Sequence, residues 1–349
     1  MAQRTRGMPV KDVSIAPANA GDRHTLLSIR NLSTQFSRPD GTVYAVNRVS
    51  FDVAEGETLG IVGESGSGKS VSFLSILGLL RGNGRVAEGE AWFDRINLLG
   101  LTKRQLTEMR GRDIGIVFQD PMTSLNPLMR VGDQISETLT VHRICSKTDA
   151  RKRTIELLRE VGISDPEMRY RNFPFEFSGG MRQRVMIAVA LACEPRLLIA
   201  DEPTTALDVT VQMQILAVLR KAQNMRGMTT VIITHDFGVA TNFCDRIIVM
   251  YGGQIMETAP VGEFIKRPAH PYTIGLKGSI LEIGARRQRL VPIPGSSPTM
   301  LELPTGCPFV DRCFFAVDRC RTEVPALRFV GPSHTVACHR AEEVMEGVC

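Results

Sequence analysis

Gly63-Glu64-Ser65-Gly66-Ser67-Gly68-Lys69-Ser70 fits the pattern G-x-x-x-x-G-K-[ST], a loop that cradles phosphates. The run before it, Leu59-Gly60-Ile61-Val62, is short and apolar and reads as a buried strand. Val71 to Leu80 after it is mostly apolar and long enough for a helix. Strand, glycine loop, helix is the order the chemistry demands. Glycines let backbone N–H groups turn inward, and the helix N-terminus adds partial positive charge beneath the phosphates. In that arrangement Lys69 reaches the β- and γ-phosphates of a nucleotide and Ser70 ligates Mg²⁺.

Working outward from the loop, Leu26 to Gln35 and Val43 to Val53 alternate as strands around the turn Pro39-Asp40-Gly41. They predict a small antiparallel sheet. Phe36 and Tyr44 lie on or beside these strands, and either can stack on an adenine ring or simply pack. Downstream, Ala91-Trp92-Phe93-Asp94 and Ile114 to Phe118 read as strands, the second ending at Gln119-Asp120-Pro121. Residues 122–178 change character. Ala150 to Val161 sets Ile155, Leu158 and Val161 on one face among charged residues, which predicts a helical insert in an α/β core. Strands return at Leu197-Leu198-Ile199-Ala200, at Thr230 to Thr234 and at 247–251. A long helix, Val209 to Arg226, closes at Gly227. Strands alternating with helices predict a mainly parallel sheet covered on both faces.

Two further stretches carry chemistry. Leu197 to Ala200 runs into Asp201-Glu202, placing one carboxylate to hold Mg²⁺ and the next to polarise a water attacking the γ-phosphate. Another strand ends at His235. Ser178-Gly179-Gly180 precedes an apolar helix; Ser178 reads as an N-cap, and the glycines permit close approach of an anion.

At 349 residues the chain predicts about two domains. Its 43% hydrophobic content supports a sizeable core, and a net charge of +5 does not argue for nucleic acid. No apolar run approaches the roughly 18–20 residues that span a bilayer. Met1 to Arg30 carries Arg4, Arg6, Lys11 and Arg23 without a continuous apolar stretch, so it reads as a tail, residues 1–25, and not as a secretory signal.

Taken together these motifs resemble the ATP-binding subunit of ABC transporters, over residues 26–265. The resemblance implies an α/β P-loop NTPase (RecA-like) core with an antiparallel β subdomain, a helical subdomain at about 122–178, and a small Cys/Pro-rich extension at 266–349. Ser178 to Gln183 is similar to the LSGGQ signature, with Phe177 for the leucine and Met181-Arg182 ahead of Gln183. Gln119 falls on the Q-loop, Ala206-Leu207-Asp208 on the D-loop and His235 on the switch histidine; Phe36, then Tyr44, is the candidate for the adenine stack. The implied ligands are ATP and Mg²⁺, the latter held by Ser70, Gln119 and Asp201. Glu202, His235 and Gln119 are the implied hydrolytic residues. Ser178, Gly179, Gly180, Gln183 and Asp208 are implied to act on nucleotide across a dimer of cassettes.

A narrower resemblance comes from His270-Pro271-Tyr272-Thr273 with Leu276 and Ser279. Gly295-Ser296-Ser297-Pro298, Gly306-Cys307-Pro308-Phe309 and Arg312-Cys313 extend it. These are similar to the dipeptide/oligopeptide (and nickel) importer branch. That branch implies a second ATPase subunit, two transmembrane permease subunits, an extracytoplasmic binding protein, and a peripheral place on the cytoplasmic face of the inner membrane. Another solute (nickel, an opine, a sugar) or a soluble non-transport ABC ATPase are the alternatives.

Four of the eight cysteines, Cys307, Cys313, Cys320 and Cys338, fall in a Pro-rich segment with little core-forming power, which suggests a staple. Their spacing, C-x5-C-x6-C-x17-C, matches neither common zinc pairs nor the tight ferredoxin run. Relatives of the branch imply a [4Fe–4S] cluster; zinc and unligated thiols are the other outcomes, with His334 and His339 as substitute ligands. Cys145, Cys193, Cys244 and Cys349 are isolated.

Overall fold

The computed structural model describes residues 24–205, 207–278 and 293–347. The expected tail before Leu26 is therefore almost wholly outside the described residues, as are Ala206, Ser279 and Cys349.

Strands β1 (Thr25–Arg38) and β2 (Gly41–Ala54) pair as an antiparallel hairpin about the turn at Pro39-Asp40, longer at both ends than the alternation predicts. Strand β3 (Thr58–Val62) precedes the glycine loop and is buried throughout. Strands β4 (Gly84–Phe93) and β5 (Ile96–Asn97) complete a four-stranded sheet of order β2-β1-β4-β5. The remaining strands are β6 (Ile114–Val117), β7 (Leu197–Asp201), β8 (Thr229–Thr234), β9 (Arg246–Tyr251), β10 (Gln254–Pro260), β11 (Arg328–Gly331) and β12 (His334–Val336). With β3 they form an eight-stranded sheet of order β11-β12-β10-β9-β3-β8-β7-β6. The block from β9 to β6 is parallel, and β10, β12 and β11 add antiparallel at one edge. The Val/Ile/Leu content of β3, β7 and β8 follows from burial on both faces.

The helix after the glycine loop runs Lys69–Ile76, shorter than the apolar run. It stops because Gly78 takes φ +62° and a Cβ there would sit 2.8 Å from Leu106. Leu77 remains buried beyond the helix end, so its apolar character reflects the core and not the helix. The insert forms Pro121–Ser124, Val131–Val141, Lys147–Glu160 and Pro166–Arg169. Its buried face joins that of β6 and β7 in one cluster, with Ile135, Leu139, Leu157 and Leu158 packed in continuity with Val117, Leu198 and Ala200.

The extension corrects one expectation. It has core-forming power: Tyr272 and Phe309 pack with Tyr251 of β9, ring centroids 4.8–5.2 Å apart, over Cys307 and Cys320. Glu257 of β10, fully buried, accepts from the backbone N–H groups of Ala269 (2.8 Å) and His270 (2.9 Å) and pairs with His334 Nε2 (2.8 Å). That ties the extension's helix and its strand β12 to the core sheet, and it removes His334 as a substitute thiol-site ligand.

Candidate active site

The glycine loop hangs from the C-terminal end of β3, between β9 and β8 in the parallel block. Gly63 has φ +154°, and a Cβ on it would lie 2.2 Å from the Met250 carbonyl; Gly68 has φ +96°, with the Ala45 carbonyl 2.4 Å away. Both positions are closed to any other residue. Lys69 is buried and folds onto its own loop, donating to the carbonyls of Gly63 (2.7 Å) and Glu64 (2.8 Å). Burial pushes its pKa down, against the opposing charges of Glu202, Asp201 and Glu64. The Ser70 hydroxyl donates to Asp201 Oδ1 at 2.6 Å. Burial pushes the Asp201 carboxyl up; the Ser70 hydrogen bond pulls the other way, and neighbouring Glu202 adds to the rise.

Glu202 follows β7 with φ +47°, a left-handed backbone that costs a non-glycine residue about 1–3 kcal/mol. Its Oε2 receives Gln119 Nε2 at 2.8 Å and the Thr205 hydroxyl at 2.8 Å, and His235 Nδ1 lies 3.3 Å away. Gln119 comes just after β6 and His235 just after β8, the two neighbours of β7. So the carboxyl ends of four parallel strands deliver Lys69, Ser70, Gln119, Asp201, Glu202 and His235 to one crevice, where open α/β sheets bind ligands. Thr205 has no distinguishing sequence signal; it is a hydroxyl in the turn after the two carboxylates.

Ser178 caps the helix Gly179–Leu191, accepting from the Met181 N–H. Gly180 packs so closely on Val211 that a Cβ would lie 2.6 Å from it. Asp208 caps the helix Val209–Arg226 by accepting from the same Val211 N–H at 2.9 Å. Ser178 and Gly179 are exposed. Gln183 is not brought to them: it is 3% exposed, faces the interior one turn further on, and its Nε2 has no protein partner. Residue 181, a methionine, follows Gly180 directly. Among the described residues, no hydrogen bond from 178–180 reaches 63–70.

Phe36 stands opposite Val43, and Tyr44 opposite Gln35, so the two aromatics lie on opposite faces of the hairpin. Phe36 packs on Gly84, whereas the backbone at Tyr44 and Ala45 lies against Gly253 and Gly68. Phe36 thus packs beside its cross-strand neighbour Gly84 of β4, and the backbone of the Tyr44 strand borders the glycine loop.

The four extension cysteines line one cavity of about 10 Å³, with His270, His339 and Arg340 also at its wall. That is room for about one water molecule. Burial pushes Cys307 up to about 12 and Cys338 up to about 11, and raises Cys313. Among the described residues, no three His, Cys, Asp or Glu side chains are grouped to hold a metal ion. His339 Nε2 pairs with the Glu323 carbonyl at 3.0 Å. Cys193 is buried and raised to about 11, and Cys244 is raised to about 12. Two extension residues reach the glycine loop itself: Tyr272 and Arg312 both bond to Glu64.

Comparison with known proteins matches residues 46–205 to the ABC transporter family and residues 256–320 to the oligopeptide/dipeptide transporter C-terminal region. A probable peptide ABC transporter ATP-binding protein of Sinorhizobium fredii is 49% identical over 92% of this chain and 96% of its own length. The oligopeptide transport ATP-binding protein of Escherichia coli is 44% identical over 96% of this chain and 99% of its own. The dipeptide transport ATP-binding protein of Bacillus subtilis is 46% identical over 90% and 94%. Among solved structures, the dimeric post-hydrolysis ATP-binding cassette MJ0796 with ADP and Pi superposes with a TM-score of 0.61 at 32% identity, covering 67% of this chain and 98% of that one.

Proposed function

Since the chain belongs to the ATP-binding subunits of ABC transporters, in the oligopeptide/dipeptide branch, we propose that it binds and hydrolyses ATP to drive peptide import. The observation that carries this reading is the meeting of Lys69, Ser70, Gln119, Asp201, Glu202 and His235 at adjacent parallel strand ends. The chemistry of the donors fits. A buried ammonium folded onto loop carbonyls is ready for phosphate oxygens. A desolvated carboxylate beside a serine hydroxyl suits a hard divalent cation.

Lys69 turns from the Gly63 and Glu64 carbonyls to the β- and γ-phosphates, while the N–H groups of residues 65–70 face the same oxygens. Ser70, Asp201 and Gln119 are the residues that would hold Mg²⁺. That ion neutralises charge on the phosphates when bound. The Glu202 carboxylate accepts a proton from the attacking water. His235 and Gln119 orient that water and the γ-phosphate, and Thr205 keeps the carboxylate aimed. Exposed Ser178 and Gly179 at a helix N-terminus face outward to the nucleotide of a second cassette, with Asp208 beside them; Phe36 or Tyr44 stacks on the adenine.

The implied assembly is a second ATPase subunit, two permease subunits and an extracytoplasmic solute-binding protein, with this chain peripheral on the cytoplasmic face. No helix among the described residues is long and apolar enough to cross a membrane. Residues 26–265 form the cassette, with 122–178 as its helical part, and 266–349 the branch-specific extension. Cys307, Cys313, Cys320 and Cys338 would be the donors if a [4Fe–4S] cluster is bound, and it would add a second tie to an extension that already packs on Tyr251. The four thiols around one cavity support this reading, and loading requires that cavity to widen and the thiols to ionise. Iron and acid-labile sulfide assays on anaerobically purified protein test it; a metal-free, fully folded chain removes it.

The test of the main reading is Glu202→Gln. It keeps nucleotide affinity and lowers kcat about 100-fold or more. Wild-type turnover in that variant sinks the assignment.

A further inference from the structure

Glu64 is the second residue of the glycine loop, and all its polar groups are held. Its carbonyl accepts from Lys69, and its N–H donates to the Tyr272 hydroxyl at 2.9 Å. Its carboxylate takes a bidentate grip from Arg312, with Nη1 to Oε2 at 2.7 Å and Nη2 to Oε1 at 3.0 Å. Neither Tyr272 nor Arg312 belongs to the cassette core. Tyr272 sits in the extension helix Pro271–Gly278, and Arg312 stands 248 positions beyond Glu64.

Arg312 is itself held on every side. Its Nε donates to the Pro294 carbonyl at 2.6 Å, and Nη1 also reaches the Tyr251 hydroxyl at 3.2 Å. Its guanidinium lies over the rings of Tyr251 and Phe309, and its side chain is only 9% exposed. A planar fork fixed by stacking and by backbone carbonyls is a rigid clamp, not a loose surface pair. The same stretch of the extension bonds to the hairpin, where the Tyr44 N–H donates to the Met300 carbonyl at 2.8 Å.

We propose that Arg312 and Tyr272 are positioning residues of the nucleotide site, which fix the glycine loop and cancel the charge of Glu64. This rests on the ATP-binding reading above. The physical reason is charge. A carboxylate on a loop that must receive a polyanion opposes binding unless it is neutralised, and partial burial makes that opposition stronger than in water. Lys69 leaves the Glu64 carbonyl when it turns to the phosphates. From then on the extension alone holds the N–H and the carboxylate of the loop's second residue, while its carbonyl keeps the Ser67 N–H at 3.2 Å. The extension is thus part of the ATP site as well as an appendage of the sheet.

The test uses the full-length chain and MgATP, with dissociation constants measured in the Glu202→Gln background and kinetics measured with Glu202 intact. Arg312→Gln raises Kd and KM about tenfold with kcat within about twofold of wild type. Adding Glu64→Gln to Arg312→Gln restores Kd to within about threefold, because the unpaired charge is gone. Tyr272→Phe, which removes one oxygen and no volume, raises KM about threefold. A merely structural clamp behaves differently: it lowers the melting temperature and the active fraction, leaves KM alone, and shows no rescue in the double variant. That result overturns the proposal, as does wild-type Kd in Arg312→Gln. If Arg312→Gln does not fold, an unchanged KM in Tyr272→Phe overturns it, and a raised KM supports it. Failure of the unsubstituted chain to bind MgATP is a different outcome, and it overturns the ATP-binding reading instead.

Discussion

Asp201 shows how function is stored as instability. Burial holds its pKa above the ordinary carboxylate range. A raised folded pKa for an acid means that folding favours the neutral form. The cost is absent below the unfolded value near 3.9 and is incurred as the pH climbs through the folded value. Asp201→Asn is therefore expected to raise the melting temperature of the nucleotide-free chain at pH 7.5, with the gain shrinking towards pH 4. It is expected to lower Mg²⁺-dependent ATPase activity by about 100-fold or more, since one charged ligand of the ion is lost. Thermal scans across pH, paired with phosphate-release assays, check both halves; a variant less stable than the parent at pH 7.5 contradicts the burial argument. Glu202 stores strain in the same place through its left-handed backbone. Neither property is written in a residue type. Asp-Glu after an apolar run announces two carboxylates, but their desolvation comes from the strands on either side.

At the scale of elements, the local pattern predicts well where a short apolar run is bounded by turn residues or a helix by its caps. The strands expected at 59–62, 197–200 and 230–234 from short apolar runs, and the helix Val209–Arg226, lie where those runs and the helical spacing put them, each strand one residue longer. The pattern misleads where burial has another cause, as in the apolar run that continues past the helix Lys69–Ile76. The weak core expected of the extension fails for a related reason. Prolines and cysteines look like turn-rich filler, yet Tyr272 and Phe309 find Tyr251 of β9, and β12 pairs with β10. Glu257 is the pin between those elements. Replacing it with Gln offers an N–H₂ group towards backbone donors, leaving buried polar groups mismatched. The expected loss is about 1–3 kcal/mol, read as a lower denaturation midpoint with an unchanged slope in urea. An unchanged midpoint refutes the pin.

For the whole molecule, the exposed Ser178-Gly179 turn, with no hydrogen bond to the chain's own glycine loop among the described residues, fits a site built between two copies or two related chains. The Glu202→Gln chain with MgATP is expected to shift from monomer to dimer in size-exclusion chromatography with light scattering, and Ser178→Arg to abolish that shift. A dimer that persists in Ser178→Arg argues for another interface. Sequence alone determined the loop at 63–70, the carboxylates at 201–202, the capped glycine turn at 178–180 and the family they resemble. Each depends on spacing within one strand–turn–helix unit, where backbone geometry is local. The structure does not bring Gln183 to that turn, since its side chain lies buried one turn further along the helix. Tertiary structure alone decided that Gln119, Glu202 and His235 meet, because the strand order sets β6, β7 and β8 side by side. It alone decided that Arg312 closes on Glu64 across 248 positions. No periodicity extends over such a distance; the packing of Tyr272, Phe309 and the Arg312 guanidinium on Tyr251 of β9 brings the extension back to the loop.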